Sequence, residues 1–106
     1  MFHDRAISML GLAAKAGKVI SGEFSTEKAI KSQKAFLVLV AEDASDNTKK
    51  KFRDMCSFYH THFQVYGSKE QLGAAIGKEF RASLAIMDEH LAGAVKDKIP
   101  MRETTE

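Results

Sequence analysis

Gly17-Lys18-Val19-Ile20-Ser21-Gly22-Glu23-Phe24-Ser25-Thr26-Glu27-Lys28-Ala29-Ile30-Lys31 is the stretch whose residue types and spacing could do chemistry. Two glycines bracket the β-branched pair Val19-Ile20, and the second glycine opens a segment of helical period with a polar first turn. A strand is therefore expected to hand over directly to a helix. The first-turn amides of a helix lack intrahelical acceptors and present partial positive charge to an anion such as a phosphate. Lys28 and Lys31, three apart on one face, with Phe24 one turn before Lys28, would extend that tip into a cationic strip carrying one aromatic ring. The expected partner of such a tip is RNA. Phe24 could equally be a core or helix-staple ring, and the two lysines ordinary surface lysines.

The elements that must position this tip can be read on either side of it. Phe2, Ala6, Met9, Leu10 and Ala13 follow the spacing of one helical stripe, which Gly17 stops after Lys15 and Ala16. After the Val19-Ile20 strand, the second helix is expected from about Glu23 to Lys34. Residues 35 to 41, Ala-Phe-Leu-Val-Leu-Val-Ala, are continuously apolar and read as a central strand buried on both faces. Glu42 to Asn47 break that run with turn and capping residues, and Ser45 or Asp46 is expected to start a third helix. Thr48, Phe52, Met55, Cys56 and Tyr59 form its inward stripe, with Lys49, Lys50, Lys51 and Arg53 mostly outside as a solvated face. Phe63 to Tyr66 alternate as a short strand. Ser68-Lys69-Glu70-Gln71 is a capping box opening a helix with Leu72, Ala75 and Ile76 inside and Gly77 at its end. A polar loop, Lys78 to Arg81, leads to a strand over 82–87. Asp88 then caps a last helix carrying Leu91, Ala94 and Val95.

The alternation α, β, α, β, α, β, α, β, α predicts an α/β protein, a three-layer α/β/α sandwich around a four-stranded, mostly parallel or mixed sheet. Residues 1–99 are expected to form a single domain and 100–106 a flexible C-terminal tail. In that architecture functional loops gather at one end of the sheet. Ser21 to Ser25, Glu42 to Ser45, Gly67 to Lys69 and Lys78 to Ser83 are the expected cluster.

Composition narrows the function classes. With 44% hydrophobic and 28% charged residues the chain is not of disordered type. Residues 1 to 53 hold ten Lys or Arg against six Asp or Glu, and residues 54 to 106 six against eight, so one face is expected to be basic. The single cysteine, Cys56, excludes an internal disulfide framework. No apolar run approaches the ~20 residues of a membrane span, and Met1 to Arg5 lack a basic leader, so a cytoplasmic location is expected. Cys56, His60 and His62 have no matched fourth metal ligand, and Cys56 lies on an apolar stripe, which favours a buried thiol. Glu42-Asp43 at a strand end could serve a phosphoacceptor or Mg²⁺ site, but the neighbouring strand ends offer no further carboxylate and no P-loop is present. No cofactor, metal or small-molecule substrate is expected.

Gly17-Lys18-Val19-Ile20-Ser21-Gly22, Lys28-Ala29-Ile30, Leu37 through Ala44, Ser68 through Gly73 and Gly77-Lys78-Glu79 together resemble the kink-turn-binding ribosomal protein superfamily, and within it the bacterial YlxQ-type branch. The resemblance covers about Met9 to Met87. It implies an α/β/α sandwich that binds RNA without catalysis, the tip of the helix after the first strand entering a sharply bent internal loop. Lys28 falls at the position of the family's lysine in that helix, and Lys69 at one that approaches RNA. Where strong kink-turn readers carry an Asn-Glu pair, this chain has Phe24-Ser25, and a family glutamate corresponds to Ser45. The amide and carboxylate of that pair bond base edges in a way that a phenyl ring and a hydroxyl do not. The expectation is therefore shape-led recognition of structured RNA, ribosomal in kind, with ribosomal proteins as further neighbours.

The expected RNA contacts are Lys18, Gly22, Phe24, Ser25, Lys28, Lys31, Glu42, Ser45, Lys69, Phe80 and Arg81. Lys28, Lys31 and Lys69 would hold phosphates, Phe24 or Phe80 would stack on an unpaired base, and Arg81 would do either. The competing expectation is a protein-interaction module on the same fold, for which exposed Phe24 and Phe80 would anchor a partner.

Overall fold

Leu37, Val38, Leu39 and Val40 are all buried, because the strand they form has a neighbour on each edge and helices over each face. In the computed structural model, which describes residues 4–100, the order is α1 (Arg5–Lys15), β1 (Val19–Ser21), α2 (Glu23–Lys31), β2 (Leu37–Val40), α3 (Asp46–Tyr59), β3 (His62–Val65), α4 (Lys69–Ala75), β4 (Ser83–Ile86) and α5 (Glu89–Lys98). The sheet runs β1-β4-β2-β3. β2 and β3 are parallel, and β4 lies antiparallel between β1 and β2, so the sheet is mixed. α1 packs with α4 and α5 over one face, and α2 with α3 over the other. The three-layer expectation holds.

The antiparallel direction of β4 decides where the loops go. β1, β2 and β3 all end, and β4 begins, at one end of the sheet. Three backbone bonds lace that end together: Gly22 N donates to Ser83 O at 3.0 Å, Ala41 N to Ala82 O at 2.9 Å, and Glu42 N to Gly67 O at 2.7 Å. Between the layers Leu10, Ile30, Leu37, Leu39, Phe52, Leu72, Leu84 and Ile86 are fully buried, each contributing roughly 1.5–3 kcal/mol of transfer free energy.

The helix starts follow the capping chemistry. Asp4, Ser45, Ser68 and Asp88 accept from the amides of Ile7, Thr48, Gln71 and Leu91, and Gln71 returns a bond to the Ser68 amide. Several ends and stripes differ from expectation. α2 stops at Lys31 rather than Lys34, because the Ser32 hydroxyl donates to the Lys28 and Ala29 carbonyls and Gln33 then turns left-handed at φ 59°. The β2 ladder covers 37–40 alone, and Phe36 is 41% exposed. β3 begins one residue early, at His62, and β4 is 83–86 rather than 82–87. In α5 it is Ala92, with Val95, that is buried, while Leu91 and Ala94 are half-buried. Phe2 and the expected tail beyond Pro100 lie outside the described residues.

Candidate functional site

α2 differs from the other helices at its start. Its N-cap is Gly22, at φ 98° and ψ 157°, with no side-chain cap. That φ suits glycine and strains any residue with a Cβ. The amides of Glu23, Phe24 and Ser25 therefore face outward without a side-chain acceptor, the arrangement that favours an anion. Phe24 is 78% exposed, which removes the core reading of that ring. With Glu27, Lys28, Lys31 and Ser32 it lines a shallow groove of about 420 Å³. Lys28 is exposed and makes no ion pair among the described residues.

Lys50 and Lys51 lie on the outer side of α3 as expected, their side chains 72% and 37% exposed, and Lys51 also reaches the charges of α2. Lys51 of α3 is 2.8 Å from the Glu23 carboxylate and 2.9 Å from that of Glu27, and Lys31 is 3.0 Å from Glu27. Bonds from Lys51 and then Lys31 hold the Glu27 carboxyl below its ordinary value. Bonds to Glu23 and then Glu27 hold the Lys51 ammonium above its own. Lys51 thus neutralises the carboxylates flanking the tip, and Lys31 is partly committed to Glu27. Lys28 is left as the cation of that groove without an ion pair among the described residues.

The other loops reach the same end. Asp43 Oδ1 accepts from Lys69 N at 2.8 Å, and Lys69 O accepts from Arg81 N at 3.1 Å. Arg81 Nε donates to Ser21 Oγ at 3.0 Å and Nη1 to Phe80 O at 2.9 Å, so its guanidinium is fixed at the end of β1 with donors to spare. Phe80 is 66% exposed. Gly73 allows this loop to close: a Cβ there would stand 1.3 Å from Glu79 O. Glu42 is exposed at the turn after β2. The Ser45 hydroxyl is engaged as a cap, accepting from Thr48 N at 3.1 Å and donating to Thr48 Oγ1 at 3.0 Å.

Gly22, Phe24, Ser25, Lys28, Glu42, Ser45, Lys69, Phe80 and Arg81 are therefore placed at or beside one end. Two expected residues are not. Lys18 precedes β1, and its carbonyl accepts from Met87 N at 2.7 Å beyond the far end of β4, so it belongs to the opposite pole. Lys31 closes α2, about 12 Å along the axis from Glu23, and joins the others only through the groove it lines with Phe24 and Lys28. The expected RNA contacts leave out Ser21, Asp43 and Lys51, which position the others. Ser21 and Asp43 lie inside the expected motifs and loop cluster, a signal that could have found them. Lys51 is one lysine of three in a row, with none. Cys56 is buried, and desolvation pushes its thiol up to about 12.

These elements define an α/β/α protein that holds cations, amides and two bare phenyl rings at one end of a mixed sheet. The chain belongs to the ribosomal protein L7Ae/L30e/S12e/Gadd45 family, whose profile matches residues 4–95. It is 45% identical over 84 residues, 79% of this chain and 84% of the relative, to a Bacillus subtilis protein named RNA-binding protein YlxQ. An Enterococcus faecium protein of the same name is 40% identical over 92% of this chain and 93% of its own. The large ribosomal subunit protein eL30 of Neurospora crassa is 38% identical over 74% of each. Among solved structures, a Bacillus halodurans protein of unknown function superposes with a TM-score of 0.88 at 34% identity, over 92% of this chain and 98% of that one. A Giardia lamblia 15.5 kD RNA-binding protein shares the fold, with a TM-score of 0.74 at 22% identity over 86% of this chain and 78% of that one. No helix among the described residues is long and apolar enough to cross a membrane.

Proposed function

We propose that this chain is a non-catalytic, cytoplasmic RNA-binding protein of ribosomal type. It recognises structured, kink-turn-like RNA through the tip of α2 and the loops laced to it, on the ribosome or during its assembly. The observation that carries the reading is Phe24, 78% exposed, beside a Lys28 without an ion pair among the described residues at the start of a helix whose amides have no side-chain cap. Those groups match the parts of a bent strand: phosphate oxygens on Lys28, Lys69 and the amides, and an extruded base on a phenyl face. The names of its relatives, RNA-binding and large-subunit ribosomal proteins, support the same partner.

Filter binding to a panel of ribosomal RNA fragments tests it. Phe24→Ala is expected to cost roughly 1–3 kcal/mol of affinity. Lys28→Ala is expected to weaken binding and to reduce the salt slope by about 1. No change in either variant discards the site. One observation favours a protein partner at the same end: Phe80 lines a groove with Glu70, Glu79 and Lys78, where two carboxylates outnumber one ammonium and the balance repels phosphate. Salt separates the two readings, since RNA binding through several lysines weakens steeply as salt rises and an aromatic-anchored protein contact does not.

A further inference from the structure

The opposite pole of the sheet carries a cleft of about 450 Å³ that this reading leaves unused. Phe36 before β2, His60 and His62 around the α3–β3 turn, and Glu89, Gly93 and Lys96 on α5 wall it. Two of these residues sit there against the preference of the backbone. His60 is left-handed, at φ 59°, where α3 ends, a place that glycine takes after α1 and α4, as Gly17 and Gly77 at φ 74°, and that Gln33 takes after α2 at φ 59°. Gly93 lies inside α5, where glycine is a poor helix former. The other helix-interior glycines have packing reasons, for a Cβ would stand 3.3 Å from Ala75 O at Gly11 and 1.3 Å from Glu79 O at Gly73. At Gly93 a Cβ would meet nothing within 4 Å. An imidazole stands where glycine would fold better, and a glycine where a side chain would fit. Both departures give up stability and both line one cleft, the first furnishing it and the second keeping it open.

We propose that this cleft binds a phosphorylated nucleotide. Its volume lies in the range of small-ligand sites. Phe36, 41% exposed, offers a face for the base. The imidazole N–H groups of His60 and His62 and the ammonium of Lys96 donate to the phosphate, while the Glu89 carboxylate accepts from an exocyclic amino group. Glu89 and Lys96 are seven residues apart on one face of α5, about 10 Å along its axis, so acceptor and cation stand at separate ends of the wall. Neither makes an ion pair with another described residue. The nucleotide can be free or an unpaired residue of an RNA strand, and the two share this chemistry.

NMR titration of the full chain with adenosine 5′-monophosphate and with a short 5′-phosphorylated oligoadenylate tests the site. Saturable shifts at Phe36, His60, His62 and Gly93 are expected. Gly93→Leu, which fills the cleft, and His60→Gly, which relieves the backbone, are each expected to raise Tm by several degrees while weakening binding at least tenfold. If the leucine variant does not fold, the glycine variant carries the test alone. An oligonucleotide bound tenfold more tightly than the mononucleotide assigns the site to a strand, and equal affinities assign it to the free nucleotide. Lys28→Ala is expected to leave these shifts unchanged, which separates the cleft from the loop end. Absence of saturable shifts with both probes, or wild-type affinity in the folded variants, overturns the proposal.

Discussion

Replacing Gly73 by alanine puts a methyl carbon 1.3 Å from Glu79 O, 2.4 Å from the Glu79 carbonyl carbon and 3.2 Å from Phe80 Cα. A carbon and a carbonyl oxygen settle at about 3.3 Å or more, so the loop must retreat by about 2 Å. The obstacle is backbone, which no rotamer change can move aside. Overpacking of this kind costs about 1–3 kcal/mol. The retreat also breaks the bonds from Lys78 N to Gly73 O at 2.8 Å and from Arg81 N to Lys69 O at 3.1 Å, each worth about 1 kcal/mol. The expected loss is about 3–5 kcal/mol, which lowers Tm by roughly 13–23 °C for a domain of this size. Urea denaturation with thermal scans measures it. Because the same loop presents Phe80 and holds Arg81 against Ser21, RNA affinity measured well below the lowered Tm is also expected to fall. A variant within about 0.5 kcal/mol of the parent, with unchanged affinity, refutes the claim that the approach of Gly73 to Glu79 sets this loop.

Lys51→Met leaves Glu23 and Glu27 without their shared cation, and with the Lys31 pair alone on Glu27. Stability is expected to change little, as for exposed ion pairs, while RNA binding weakens by about two- to threefold through an added net negative charge near the tip. Lys51→Met with Glu27→Gln should recover that loss, and a double variant no better than the single one sinks the explanation. Alkaline pH gives a test of the core. The Cys56 thiol, raised from 9.0 to about 12, and the Tyr66 hydroxyl, raised from 10.0 to about 12 mainly by burial and next by its bond to Asp4, both keep their protons longer when folded. Their contribution is complete below pH 9 and declines between about 9 and 12 as the unfolded chain ionises first. Cys56→Ala is expected to flatten that decline in a urea series against pH, and an unchanged slope contradicts it. Tyr66→Phe removes the 2.7 Å bond to Asp4 and is expected to cost about 1.5–3 kcal/mol, as for hydrogen bonds to charged groups, read by urea denaturation.

Helix starts were legible because capping is local chemistry. Ser45, Ser68 with Gln71, and Asp88 each bond an amide three residues on, and such spacings survive as written text. Helix ends were less so. Nothing in the period of α2 announces that Ser32 turns its hydroxyl back to the Lys28 and Ala29 carbonyls. Nor could the stripe of α5 settle between Ala92 and Ala94, because the choice lies with how α1 crosses it.

The sequence by itself determined the elements, their order and the chemical content of each loop, since hydrophobic period and capping act over a few residues. Only the tertiary structure decided which loops share an end and which charges remain available there. β4 had to run antiparallel for Arg81 to reach Ser21, sixty residues away. α2 had to lie on α3 for Lys51 to engage Glu23, twenty-eight residues away. Lys18 had to fall on the other side of a three-residue strand, about 10 Å from the loop end. Strand direction and helix contact are settled by burial summed over the whole chain, and no local window of residues contains that sum.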